Sequence, residues 1–222
     1  MLNIKNYDSF FFDCDGVILD SNHIKTEAFR SALEDYPKEK VNTFINYHQA
    51  NGGVSRYEKM EYFFKTINQK KNANKFIAES LDLFSMIVRK KLLQCELVNG
   101  VQEFLEYLSN NSYPCFVITG GDQDEVRYVF QERGLANYFC EILGSPTTKS
   151  RNMNKLKQEM KISENSLFLG DSKLDMQIAK EFEMEFLYIS SKSEWKEGPH
   201  YILDNKMIMI SDFDDLEYST KI

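Results

Sequence analysis

The sequence predicts an α/β fold: a doubly wound, Rossmann-like parallel sheet that carries an inserted all-helical domain. Short apolar runs recur at 10–12, 115–119, 141–143, 167–169 and 185–189, and amphipathic stretches such as 125–133 and 174–182 separate most of them. Strands alternating with helices build a mostly parallel sheet covered on both faces. One stretch breaks the alternation. From 20 to 94 no strand pattern stands out, while several helical patterns do. The expected division is therefore a core of 1–19 plus 95–222 and a helical cap of 20–94.

The first run, Phe10-Phe11-Phe12, is unbroken and aromatic, which predicts a strand buried on both faces. Asp13, Cys14, Asp15 and Gly16 close it. Side chains alternate along extended chain, so Asp13 and Asp15 share a face and Cys14 points away. Gly16 lets the backbone turn sharply. Two carboxylates about 4 Å apart repel by roughly 4 kcal/mol at an effective dielectric near 20. A divalent cation or a shared proton relieves that repulsion. Taken alone, the pair could also be a turn cap.

In the inserted stretch, 22–36 reads as a helix. Ser55 and Glu58 have capping-box spacing and open a second helix to about Thr66, and 74–93 reads as a third. The Gly-rich segment 49–53 between helices is expected to be the loosest point of this block.

Composition excludes several function classes. At 222 residues, with 42% hydrophobic residues including 17 Phe and 12 Tyr, the chain can build a large core, which rules against global disorder. The net charge of −7 argues against a nucleic-acid or anionic-membrane surface, since both need a basic face. Cys14, Cys95, Cys115 and Cys140 have no CxxC spacing, so reduced thiols are expected. The chain starts without a basic-then-apolar leader, and no long apolar span follows, so the expected location is cytoplasmic.

Four motifs fall in order at predicted strand ends, where open parallel sheets bind ligands. They are Asp13-Cys14-Asp15-Gly16-Val17; Val117-Ile118-Thr119-Gly120-Gly121; Lys149, a mobile cation after Gly144; and Gly170-Asp171-Ser172 with Asp175. The Thr119 hydroxyl and the N–H groups after it can hold phosphate oxygens.

This order of motifs resembles the haloacid dehalogenase-like hydrolase superfamily, in its branch of phosphatases with a helical cap after the first motif. The resemblance implies roles residue by residue. Asp13 resembles the nucleophile that takes the phosphoryl group as an aspartyl phosphate. Asp15 resembles the general acid and base, and as an acid it must hold a proton part of the time, which nearby Asp13 favours. Mg²⁺ would sit on the Asp13 carboxylate, the Asp15 carbonyl and Asp171, with Asp175 behind it or as an alternative ligand. Thr119 and the Gly120 N–H would orient phosphate, and Lys149 would stabilise the transferring oxygens. Dehalogenases of this superfamily lack an aspartate at position 15, so phosphoryl transfer is favoured over carbon–halogen hydrolysis.

Specificity should lie in the helical cap. Gly52, Gly53, Arg56 and Lys59 stand at the loop-to-helix junction expected to face the substrate, with Arg56 holding a second anion or sugar hydroxyls. The plainer alternative is that Arg56 and Lys59 only solvate the helix. His23 and His48 read as structural, and Trp195 as a cover for the sheet edge. The segment 51–59 resembles that of phosphatases found with bacterial surface-polysaccharide pathways, which implies a sugar or sugar-acid phosphate, with phosphoglycolate or another small phosphate left open. The expected partner is thus a small phosphorylated metabolite, with no nucleic acid or membrane, and the chain a monomer or weak homodimer. A β-phosphoglucomutase-like phosphosugar mutase shares the four motifs and stays open as the alternative, as does a catalytically silent phosphate-binding module.

Overall fold

The computed structural model describes residues 2–217. Six parallel strands, β1 (Ser9–Phe12), β2 (Cys115–Asp122), β3 (Glu141–Ser145), β4 (Ser166–Gly170), β5 (Glu185–Ile189) and β6 (Ile208–Ile210), form one sheet in the order β3-β2-β1-β4-β5-β6. The strand order reverses around β1, which lies at the centre with Phe11 in register with both Phe116 and Phe168.

The aromatic run does what its pattern predicts. All four β1 residues are buried. Phe10 and Phe12 enter one core with Phe104, Val129 and Phe130, from α5 (Val101–Asn110) and α6 (Gln123–Glu132). Phe11 enters the core on the other face, against Met153, Met176 and Ile202 from α7 (Lys149–Gln158), α8 (Lys173–Glu181) and α9 (Gly198–Asp204), and stacks on Phe116 at 4.9 Å. A strand packed on both sides cannot slip in register without exchanging its two faces. That fixes where Asp13 emerges.

The helical block between β1 and β2 contains α1 (Asn22–Ala32), α2 (Lys38–Ala50), α3 (Arg56–Tyr62), a π-helical continuation Phe63–Ile67, and α4 (Asn74–Leu92). Its interior is aromatic: Phe29 packs on Phe84 at 4.2 Å and on Phe44 at 5.2 Å. Ser55 caps α3 by accepting from the Glu58 N–H. The first helix ends at Ala32, short of the expected Tyr36, because the chain must turn into Pro37, which disfavours helical backbone just before it. Helix α2 buries only Val41, Phe44, Ile45 and His48 along a polar sequence, a stripe too thin to stand out. Strand β6 is a three-residue, half-buried edge and gave as weak a signal.

The two chain crossings into the block lie side by side. Leu19 bridges Leu97 antiparallel, Asp20 N–H donates to Glu96 O at 2.9 Å, and Val98 N–H donates to Ile18 O at 3.0 Å. All four cysteines are free thiols, and among the described residues no helix is long and apolar enough to cross a membrane.

Candidate active site

Asp13 follows β1 directly, anchored by its N–H to Leu169 O at 2.9 Å, and is 2% exposed. Its Oδ1 accepts from Lys149 Nζ at 2.6 Å. Lys149 is not the mobile cation expected from sequence. It opens α7, is buried, and also donates to Asp175 Oδ1 at 2.5 Å. Asp175 is the N3 residue of α8, and its Oδ2 accepts from the Ser172 N–H at 3.1 Å and the Ser172 hydroxyl at 2.6 Å. Both Asp175 oxygens are therefore engaged. These bonds orient Lys149 and cap α8.

Asp171 leaves the end of β4, and its Oδ2 accepts from Asn22 Nδ2 at 2.7 Å. Carboxylate oxygens of Asp13, Asp171 and Asp175 all lie within 4.8 Å of one another. Burial, then the charges of Asp13 and Asp175, push the Asp171 carboxyl well above the usual range. Burial raises Asp13 to about 7, with Asp175 and Asp15 adding to it and Lys149 opposing. Three buried carboxylates face one ammonium. A divalent cation is the charge that balances them, so the residues fit a metal of the hard, oxygen-liking kind.

Asp15 differs from expectation. Its Oδ1 accepts from the Ser21 hydroxyl at 2.6 Å, and its Oδ2 is ion-paired with Lys25 of α1. Burial raises its carboxyl, but Lys25 and Ser21 outweigh burial and leave it below the usual range. In this geometry Asp15 is the ionised member of the pair and Asp13 the raised one. The correction traces to Lys25, which comes from the helical block.

Thr119 is fully buried in β2, and its Oγ1 accepts from the Gly121 N–H at 2.9 Å. Gly120 and Gly121 line the cavity that Asp13, Asp15 and Asp171 also line. The segment expected to be loosest is packed against this point: a Cβ on Gly120 would lie 2.0 Å from Gly53 O, and one on Gly52 2.8 Å from Ser172 Cβ. Gly53 has φ +79°, which favours glycine.

Arg56 and Lys59 both line the cavity, as expected of residues that face the site, and they overturn only the plainer alternative. Each is buried, so neither solvates the helix. Arg56 is committed to Glu125 of α6 through both guanidinium NH groups, donates to Ser85 Oγ at 2.9 Å and sits over the Phe84 ring. An arginine so paired joins the two halves of the molecule while its side chain borders the cavity. Tyr57 adds a second bond, to Asp122 Oδ2 at 2.6 Å. Trp195 does more than cover an edge: it lines the cavity beside Glu194 while packing on Tyr188 at 5.7 Å. Lys25 and Glu194 were not legible as site residues. Lys25 had the signal of a cation one turn into the first inserted helix, while Glu194 had none.

The cavity measures about 50 Å³, room for a few waters, since each needs roughly 10–15 Å³. The helical block and the core line it together, so the block lies over the carboxylates.

No curated protein matches the sequence. Among solved structures, a predicted phosphoglycolate phosphatase from Haemophilus somnus superposes with TM-score 0.74 at 20% identity, covering 96% of this chain and 97% of its own. CbbY from Rhodobacter sphaeroides, in complex with xylulose-(1,5)bisphosphate, gives 0.72 at 14% identity over 96% and 97%. β-Phosphoglucomutase from Clostridium difficile gives 0.70 at 13% identity over 96% and 94%. At these identities the likeness establishes the fold. The family described as haloacid dehalogenase-like hydrolase matches residues 10–189, from β1 through the helical block to the end of β5. The chain therefore belongs to the haloacid dehalogenase-like hydrolase family, with a helical cap between its first two strands.

Proposed function

We propose that the protein is a Mg²⁺-dependent phosphatase that hydrolyses a small phosphomonoester, a sugar or sugar-acid phosphate, through an aspartyl phosphate on Asp13. The observation that carries this reading is the Asp13 carboxylate at the end of the central strand, 2.6 Å from a buried lysine and grouped with Asp171. Residues 1–19 and 95–222 act as the catalytic core and 20–94 as the cap, in a cytoplasmic monomer or weak homodimer.

Asp13 attacks phosphorus, and the ester oxygen leaves. Lys149, fixed by Asp175, offsets negative charge on Asp13 and on the transferring oxygens. Thr119 and the Gly120 N–H orient the phosphoryl group from the β2 end. Asp15 starts ionised on Lys25. An incoming phosphate dianion raises its proton affinity, so it takes up a proton, gives it to the leaving oxygen, and then accepts one from the water that cleaves the acyl phosphate. Asp13 and Asp171, with the Asp15 carbonyl, would hold Mg²⁺, which when bound supplies positive charge to a phosphoryl oxygen and keeps Asp13 anionic. The small phosphorylated metabolites named for CbbY and the phosphoglycolate phosphatase support this substrate class on the same fold.

The test is phosphate release, with Mg²⁺, from p-nitrophenyl phosphate and from a panel of sugar, sugar-acid and small carboxylate phosphates. Wild type should turn over at least one, and Asp13→Asn should lose at least about 10⁴-fold, as removal of a nucleophile does. Equal rates for the two proteins would end the proposal. Positional isomerisation of a hexose phosphate without phosphate release would replace it with the mutase reading.

A further inference from the structure

Among the described residues, Lys149, Lys25, Arg56 and Lys59 lie at the cap–core junction with little exposure, and three of these four face a carboxylate. Lys149 has Asp13 and Asp175, Lys25 has Asp15, and Arg56 has Glu125. Lys59 is the exception. It is 3% exposed and lines the cavity with Asp13 and Asp171, yet among the described residues its Nζ has no carboxylate within ion-pair distance. Its partner is a neutral ring atom, His48 Nδ1, at 2.8 Å.

The hydrogen bonds fix the direction of the chain behind it. Lys59 donates to His48 Nδ1, so His48 carries its proton on Nε2 and donates to Thr26 Oγ1 at 3.0 Å. Thr26 then donates to the Glu194 carboxylate, at 3.0 and 3.1 Å to its two oxygens, and Gln49 Nε2 also donates to Glu194 at 3.2 Å. Burial, then Lys59 and Lys25, hold His48 far below its ordinary value, which keeps it the neutral acceptor this chain requires. Lys59 is thus aimed by a relay that runs from the cap to the core loop after β5.

A buried ammonium without a counter-ion is costly unless an anion arrives to meet it. Burial, then Lys25, bring the Lys59 ammonium down to about 7, so it is poised to gain charge when an anion binds. On the phosphatase reading Lys149, Thr119 and the Gly120 N–H receive the transferred phosphoryl group, which leaves Lys59 for a second anion. It belongs to the leaving group. One ammonium matches a monoanion, and the small cavity favours a short one.

We propose that Lys59, positioned by His48, Thr26 and Glu194, selects the substrate by holding a carboxylate on its leaving group, so that the preferred substrates are phosphate esters of small hydroxy acids. This rests on the phosphatase reading and narrows it.

The test uses ester pairs that differ only in carboxylate against hydroxymethyl: 3-phosphoglycerate with glycerol 3-phosphate, and 2-phosphoglycolate with 2-hydroxyethyl phosphate. Wild type should prefer the carboxylate member by about 100-fold in kcat/KM, the size of one charged hydrogen bond. In Lys59→Met that ratio should fall below about 5-fold, mostly through KM. Calorimetric binding of each pair to Asp13→Asn, with and without Lys59→Met, gives the same comparison without turnover. Equal kcat/KM for both members in a wild type that hydrolyses p-nitrophenyl phosphate would overturn the inference, as would a preference that survives Lys59→Met. No hydrolysis of any ester would instead overturn the phosphatase reading, and the calorimetric ratio would then decide the role of Lys59.

Discussion

Arg56, in the first turn of α3, and Glu125, in the first turn of α6, form a two-pronged ion pair whose side chains are only 4% and 7% exposed. It ties the cap to the sheet. Breaking it from one side strands a buried charge, so Arg56→Met and Glu125→Leu should each lose about 3–5 kcal/mol in urea unfolding. The double variant should recover most of that loss, because it buries no unpaired charge. Losses that simply add would show that the two residues do not act as a pair.

Gly120 allows the cap turn to reach the end of β2. In Gly120→Ala the new Cβ would fall 2.0 Å from Gly53 O, so the turn must move away. Closure over Asp13 should then be incomplete, with kcat/KM down by about 100-fold, the effect of an ångström-scale misplacement. Gly120 lies in β2 between the paired positions Ile118 and Asp122, so the strand pairing and the thermal midpoint of the core should hold. Full activity would mean that the contact is not needed for catalysis.

Metal removal tests the grouping of Asp13 with Asp171. Chelation should abolish phosphate release, and added Mg²⁺ should restore it. Asp171→Asn should raise the half-saturating Mg²⁺ concentration by about 10-fold or more. An unchanged Mg²⁺ titration would remove Asp171 from the ligand set.

Lys59 gives a pH signature in stability. Its folded-state value of about 7 lies below the unfolded value of 10.5, so folding disfavours its proton. Below pH 7 the full penalty applies, and between about 7 and 10.5 it is relieved as pH rises. Lys59→Met should therefore melt higher than wild type at pH 7, with the advantage shrinking toward pH 10. A constant difference across that window would show that Lys59 is not held in a charge-disfavouring site.

Much of this was legible in the sequence because it depends on local pattern. Three adjacent phenylalanines placed β1, and the residues after each strand placed Asp13, Thr119, Lys149 and Asp171 at one end of the sheet. What escaped depends on partners far away in sequence. The pairing of Arg56 with Glu125, 69 residues on, could not be read from either residue's neighbours in sequence. Asp15 looked like a proton holder until Lys25 reached it from the cap. The meaning of Lys59 depends on which carboxylates fail to reach it, and no spacing rule encodes that.

The side-by-side crossings at Leu19 and Leu97 have a consequence for how such a molecule can change. A block hung from two neighbouring points puts no demand on strand spacing, so a foreign helical segment grafted between those points should leave the six-stranded platform folded. Chemistry and selectivity can then be inherited separately, and a new diet can be acquired by exchanging one contiguous piece of gene.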